Sequence, residues 1–356
     1  YYSSDSGIAE SHHVFLQGNR LAERWRGQER FTILETGFGT GLNFLTTWDA
    51  WRRHPQRPQR LHMLSIEAFP LLPQDLARAH SGWAELADLS DALLAEYPPP
   101  LPGLHRLWFD DGRVCLDLLL EPLERALPVL EALPDLTVDS WYLDGFAPAR
   151  NPAMWTPALY DCMTRLTTTG GRFATFTAAG DVRRGLRDAG FGVEKLPGFG
   201  RKRDMLSGEL ADPAPRRAPG ATPWHLPERD YPGAGQGQIT RSRVTPDRAL
   251  VLGAGLAGAT VANALARRGW QVTVYDRAGI AGGASGNPQG VLYTRLSHRR
   301  SPLNSFSLHS FCFAQRFYRS LFETGKLQPG SDGELCGCLQ LRDNLDSEDP
   351  LREACL

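Results

Sequence analysis

Phe31-Thr32-Ile33-Leu34-Glu35-Thr36-Gly37-Phe38-Gly39-Thr40-Gly41-Leu42-Asn43-Phe44-Leu45 climbs from an apolar run through three alternating glycines and leaves as a helical pattern. The order predicts strand, tight turn and helix. Gly37, Gly39 and Gly41, with Phe38 between the first two, remove side chains that would hold a ligand off the backbone. The helix start beyond them offers unpaired N–H groups. Glu35 closes the strand with a carboxylate, which suits a ligand bearing hydroxyls or positive charge better than a pyrophosphate. S-adenosylmethionine meets that description, although a glycine turn alone also serves dinucleotides. The next apolar run, residues 61–66, ends at Glu67, where a doubly wound sheet places an acid for ribose hydroxyls. Two acids at two strand ends favour S-adenosylmethionine.

The 356 residues allow two domains with full cores, and 22% charged with 42% hydrophobic residues is the balance of a globular chain, not a disordered one. A net charge of −1 means that any nucleic-acid contact must come from a local basic patch. Six scattered cysteines show no C-x₂-C pairing, so no metal site is expected, and they read as reduced thiols of a cytoplasmic protein. No run approaches the ~20 apolar residues of a membrane span, and no signal peptide is visible. Because the chain starts at Tyr1 and stops soon after a second glycine turn, a longer parent protein is expected.

Residues 1–30 read as a polar loop and a short apolar stretch packing on the sheet. A helical pattern passes through Leu76, Trp83 and Leu86 and must end at the prolines 98–100. Residues 107–120 read as a hairpin about Asp110-Asp111-Gly112-Arg113, so the third parallel strand ends near Glu121. The fourth strand, 140–143, runs into Asp144-Gly145-Phe146-Ala147-Pro148-Ala149-Arg150-Asn151-Pro152. Ligands of open α/β sheets sit outside the carboxyl ends of the strands, so Asp144 is expected beside the pocket of Glu35 and Glu67. A helix over 154–166, a glycine pair at 170–171, a strand over 172–176, a helix over 181–189 and strands over 191–195 and 204–210 complete a seven-stranded, Rossmann-like order. The last two form a hairpin whose loop, Gly198-Phe199-Gly200-Arg201-Lys202-Arg203, lies near Arg183, Arg184 and Arg187 and is the best polyanion candidate.

Domain 1–210 is followed by a Pro/Gly-rich linker, 211–247, and a second domain from 248 to 356. Arg248-Ala249-Leu250-Val251-Leu252 enters Gly253-Ala254-Gly255-Leu256-Ala257-Gly258, then a helix, then a strand ending in Asp276. That is the full strand, G-x-G-x-x-G, helix and acid context of a dinucleotide site. The small-residue loop around Gly283, Ala284, Ser285 and Gly286 favours FAD over NAD. A helix is expected over 306–321.

With both halves read, the chain resembles the bacterial bifunctional enzymes that build 5-methylaminomethyl-2-thiouridine at the tRNA wobble position. The resemblance is carried by Glu35 to Gly41 with Leu42-Asn43-Phe44-Leu45, by Leu143-Asp144-Gly145-Phe146-Ala147-Pro148, by loop 198–203 and by Ala284-Ser285-Gly286-Asn287. It implies an FAD-dependent removal of a carboxymethyl group from the modified uridine, then S-adenosylmethionine-dependent methylation of the amine so exposed. Asp144 and Phe146 are then the catalytic candidates. Glu35, Gly37, Phe38, Gly39, Gly41, Glu67 and Asp144 are the S-adenosylmethionine candidates; Gly253, Gly255, Leu256, Gly258, Asp276, Ala284 and Ser285 those for FAD; and Arg150, Arg201, Lys202 and Arg203 those for tRNA. A monomer is expected. The third strand ends Leu120-Glu121-Pro122 where many methyltransferases have Gly-Asp, so no adenine contact is assigned to Glu121. Two rival readings stand beside this one: a small-molecule amine methyltransferase fused to an amino-acid oxidase, and a tRNA-binding module without catalysis.

Overall fold

The computed structural model describes residues 4–133, 136–200, 202–214, 248–294 and 301–337. Arg201 and most of the expected linker lie outside them. Contacts divide the chain into two compact units: 1–109, 114–215 and 292–356 form the first, and 110–113 with 216–291 the second.

In the first unit, strands β1 (Arg30–Thr36), β2 (Arg60–Ile66), β3 (Gly103–Phe109), β4 (Val114–Leu120), β5 (Val138–Leu143), β6 (Thr167–Thr175), β7 (Phe191–Pro197) and β8 (Asp204–Leu210) form one sheet in the order β3-β4-β2-β1-β5-β6-β8-β7. Strands β4, β2, β1, β5 and β6 are parallel, whereas β8 runs antiparallel to both neighbours. The sheet has eight strands and not seven because the first arm of the 107–120 hairpin also pairs, antiparallel to β4. Asp110, Asp111 and Gly112 turn that corner with φ of 48°, 57° and 81°, a left-handed run that Asp and Gly tolerate best. Chain order reverses between β1 and β5, so the crevice for a ligand opens at their carboxyl ends.

Helices α1 (Ser4–Ser11), α2 (Leu21–Arg24), α3 (Leu42–Arg53), α4 (Pro73–His80), α5 (Ala87–Glu96), α6 (Leu123–Ala132), α7 (Pro157–Leu166) and α8 (Gly180–Asp188) cover the sheet. Period-two alternation sends Phe31 and Ile33 into one apolar cluster, with Phe44, Trp48 and Trp51 of α3. Leu34 enters the opposite one, with Trp141, Leu143 and Leu166. Each such fully buried side chain contributes roughly 1.5–3 kcal/mol.

Three local expectations shift. The N-terminal stretch is helical, with a π-helical turn (His12–Gln17) that buries Val14, Phe15 and Leu16. The expected helix over 154–166 begins only at Pro157, because Pro suits a first helical turn and Thr156 Oγ1 accepts from Leu159 N to cap it. The glycine pair 170–171 lies inside β6, where the register against β5 slips between Val138↔Thr167 and Ser140↔Arg172; Gly170 absorbs this bulge at φ 71°.

The second unit contains β9 (Arg248–Leu252), α9 (Leu256–Ala266) and β10 (Gln271–Tyr275), the two strands pairing in parallel. None of its described residues is buried. Helix α10 (Pro302–Glu323) belongs to the first unit and packs on β3, the His309 ring 4.8 Å from that of His105.

Candidate functional site

Gly37, Gly39 and Gly41 hold φ of 91°, 53° and 72°, which L side chains rarely adopt. A Cβ on Gly37 would come within 3.1 Å of the Asp144 carbonyl, and one on Gly41 within 2.6 Å of the Phe38 ring. At Gly39 it would meet no protein atom, because the turn there borders a cavity of about 760 Å³. That is the size of a small-molecule site. The cavity is walled by the turn, by Glu67 to Phe69, by the loop after β5 and by α1.

Its floor is a chain of buried polar groups. Glu35 is fully buried and accepts from Ser65 Oγ at 2.6 Å and from Asn43 Nδ2 at 2.8 Å. Removal from water drives its pKa well above the usual carboxylate range. Asn43 Nδ2 also donates to Asp144 Oδ2 at 2.8 Å, and Gly145 N donates to Asp144 Oδ1 at 2.8 Å. Asp144 is pushed up to about 6, again chiefly by loss of water, and the two donated bonds oppose the rise. Glu67 holds the turn itself, accepting from Gly39 N and Phe69 N, each at 2.8 Å.

Sequence candidates therefore separate by place. Gly37, Phe38, Gly39, Glu67, Asp144, Phe146 and Arg150 line the cavity. Glu35 and Gly41 do not; Glu35 stands behind the wall with both oxygens engaged, and Gly41 caps α3. Phe146 is 66% exposed at the rim, where its carbonyl accepts from Trp155 Nε1. Lys202 also lines the cavity, but it pairs with Glu10 at 2.7 Å and lies 4.3 Å over the Phe176 ring. Arg203 is exposed, and Arg201 falls outside the described residues. Arg184 is engaged by Asp181.

Glu121 lines the cavity as well, although the sequence assigned it nothing. Asn43 and Ser11 were missed too. The signal was present: an amide beside a glycine turn in an otherwise apolar helix start must find partners once buried. Elsewhere, His62, Cys115 and Asp117 come within 4.8 Å of one another, but Arg106 donates to Asp117 at 2.7 and 2.6 Å and takes the place of a cation.

In the second unit, Gly253 has φ 102°, and a Cβ on Gly258 would lie 1.8 Å from the Gly253 carbonyl. A Cβ on Gly255 would meet Ser285 Oγ, which accepts from Leu256 N at 3.0 Å and so ties the Ala284–Gly286 turn to the helix start. Asp276 accepts from Ala254 N at 2.8 Å and Ala278 N at 2.7 Å, and these bonds lower its pKa. Gly253 and Asp276 line a shallow pocket at the carboxyl ends of β9 and β10. A backbone so close-packed fits the phosphates of a dinucleotide.

Residues 84–211 match the family of S-adenosyl-L-methionine-dependent methyltransferases, and residues 248–355 match the family of FAD dependent oxidoreductases. Among solved structures, MNMC2 from Aquifex aeolicus is similar at 24% identity and TM-score 0.46, over 59% of this chain and 63% of that one. This chain thus spans less than two thirds of that protein's length. The O-methyltransferase TomG from Streptomyces achromogenes, solved with SAM, is similar at 16% identity and TM-score 0.34, over 60% of this chain and 91% of that one. The N-methyltransferase NodS from Bradyrhizobium japonicum is similar at 13% identity and TM-score 0.33, over 60% of this chain and 100% of that one. At TM-scores below 0.5 none of these likenesses bears on substrate. Among the described residues no helix is long and apolar enough to cross a membrane.

The chain joins a methyltransferase segment to an FAD-dependent oxidoreductase segment, and the cofactors that the two families use are S-adenosylmethionine and FAD.

Proposed function

We propose that the chain modifies the wobble uridine of tRNA, and that its first segment methylates a 5-aminomethyl group that an oxidative step frees from 5-carboxymethylaminomethyl-(2-thio)uridine. The observation that carries the methyl-transfer half is Asp144, held at both oxygens on the floor of a cavity that, among the described residues, is lined by five carboxylates (Glu10, Glu67, Glu121, Glu124, Asp144) against Arg150 and Lys202. Such a lining favours a sulfonium and an amine over a phosphate. S-adenosylmethionine, when bound, supplies an electrophilic methyl group. The glycine turn and Glu67 hold it by its backbone-facing and ribose sides. Asp144 accepts an N–H bond from the substrate amine and turns the lone pair toward the methyl, while Phe146 packs on the uracil. Much of the acceleration is then proximity and orientation.

In the second segment, FAD when bound supplies the acceptor for a hydride from the carbon beside the substrate nitrogen. Gly253, Gly255 and Gly258 clear the approach of its phosphates, with Leu256 N and Ser285 at the helix start, and Asp276 faces the ribose. Arg150, Lys202 and Arg203 are the candidates for tRNA phosphates.

The deciding experiment follows labelled methyl from S-adenosylmethionine into tRNA carrying 5-aminomethyl-2-thiouridine, beside fully modified tRNA and a free amine analogue. Label on the under-modified tRNA alone is the expected result. Label on the free amine would replace this reading with a small-molecule enzyme, and no label anywhere would leave a binding module.

A further inference from the structure

Asn43 sits at the second position of α3, 7% exposed, with Ser11 of α1 at 3% and Glu35 at 0% around it. Both amide hydrogens are used, one on Glu35 Oε1 and one on Asp144 Oδ2, each at 2.8 Å. The amide oxygen accepts from Ser11 Oγ at 2.7 Å. These three bonds admit one orientation of the amide, since a flip would set its oxygen against two carboxyl oxygens. A continuous path thus runs from Ser65 through Glu35 and Asn43 to Asp144; Asn43 and Asp144 line the cavity, and Ser65 and Glu35 do not. On Asp144 the amide takes one site of Oδ2, and Gly145 N takes one site of Oδ1 at 2.8 Å. Each oxygen keeps a lone pair for an incoming N–H.

Building on the methyl-transfer reading above, we infer that Asn43 is the positioning residue of that site: anchored on Glu35 and aimed by Ser11, it fixes the Asp144 carboxylate toward the substrate nitrogen. Glu35 then serves the ligand only through Asn43, and α1 becomes part of the catalytic apparatus through Ser11. The donated bond also favours the charged form of Asp144, because an N–H stabilises a carboxylate more than a carboxylic acid.

The test uses the full chain and two readouts. In the first, the Asp144 carboxyl is titrated by carbon NMR in the wild type, Asn43→Ala and Ser11→Ala, with no tRNA present. Loss of the amide should move the midpoint up by roughly half a pH unit or more, and Ser11→Ala should move it the same way by less. In the second, methyl transfer to under-modified tRNA should lose about 10- to 100-fold in kcat in Asn43→Ala, with the acid limb of its pH profile displaced upward and S-adenosylmethionine affinity within about threefold. A purely structural role would lower kcat without moving that limb. Should Asn43→Ala fold poorly, Ser11→Ala carries the same titration, because it leaves the amide in place but unaimed. An unmoved Asp144 midpoint in both variants overturns the inference. If the wild type transfers no methyl to tRNA while the midpoint still moves, the functional reading falls and the positioning of Asp144 by Asn43 stands.

Discussion

The two glycine turns of this chain are built alike at short range and differ in what lies behind them. In each, an acid at the end of the following strand accepts one bond from the turn and one from the residue two positions on: Glu67 from Gly39 N and Phe69 N, Asp276 from Ala254 N and Ala278 N. The strand leading into the first turn ends in buried Glu35, tied through Asn43 to Asp144, whereas the strand leading into the second ends in Leu252, 79% exposed. On the proposed reading, turn chemistry alone therefore says only that a ribose-bearing ligand is held. On that reading the surroundings of each turn set the charge preference: carboxylates around the first suit a cation, and the close-packed glycine backbone of the second, without a lining of acids behind it, suits phosphates.

The sharpest way to break that comparison is to remove the group the second turn lacks. Asp144→Ala should lower methyl transfer by about 100-fold or more while S-adenosylmethionine affinity changes by no more than a few-fold, read by single-turnover kinetics and calorimetry. Unchanged turnover would take Asp144 out of the reaction. A crossed pair of glycine variants comes next. Gly258→Ala drives a Cβ to 1.8 Å from the Gly253 carbonyl and should cost most of the bound flavin without touching S-adenosylmethionine. Gly39→Ala meets no atom but must hold φ 53°, a strain of about 1–2 kcal/mol, and should weaken S-adenosylmethionine about tenfold with flavin content unaltered. Cross-effects between the two would undo the separate assignment.

Acidity supplies a smaller contrast with opposite signs. Asp144 is raised to about 6 by loss of water, so it is protonated below that value and methyl transfer should fall as pH drops through about 6. For stability the sign reverses: the folded state holds this proton more tightly than the unfolded chain, so the contribution is full below the ordinary 3.8 and lost as pH rises through about 6. Asp144→Asn should consequently stabilise the protein by about 1–2 kcal/mol above pH 6. That is less than the full shift implies, because an amide offers one oxygen where the carboxylate met two donors, Asn43 Nδ2 and Gly145 N. Asp276 is lowered by backbone donors, Ala254 N first, so its contribution is present above the ordinary value and lost only as pH falls through the lowered one. Below about pH 6 methyl transfer should decline while flavin retention holds; a parallel decline would show that the two acids do not differ.

The sheet was legible because its strands are apolar runs bounded by acids, glycines and prolines, and the two turns because their glycines fall at fixed offsets. What escaped was long-range polar pairing. Nothing local in Ser11 marks it as a partner of Asn43, 32 residues on, and nothing local in Glu35 says that it stands behind the cavity wall and not in it. The bulge at Gly170 escaped for the related reason that a glycine pair reads as a loop until its neighbour strand is known. Helix α10 lies in sequence beyond the second turn, yet its His309 meets His105 of the first unit, a tertiary fact without a sequence signature.

The smallest expected effect concerns the basic loop, where charge counting and geometry part. Lys202 and Arg203 are adjacent cations, and charge alone makes them equal candidates for a phosphate. Lys202, however, already pairs with Glu10 and stacks on Phe176, while Arg203 is exposed. A lysine that must first leave a carboxylate gains little from a phosphate, and the half-exposed pair is worth about 0.2–1 kcal/mol to the fold. Arg203→Ala should therefore lower the salt dependence of tRNA binding by about one phosphate contact, a slope change near 1 in log–log form. Lys202→Ala should leave that slope nearly unchanged, and because it frees Glu10 beside Asp144 it should move the acid limb of methyl transfer upward. Equal slope changes in both variants would mean that the Glu10 pair opens on tRNA binding, and Lys202 would then belong with the tRNA contacts after all.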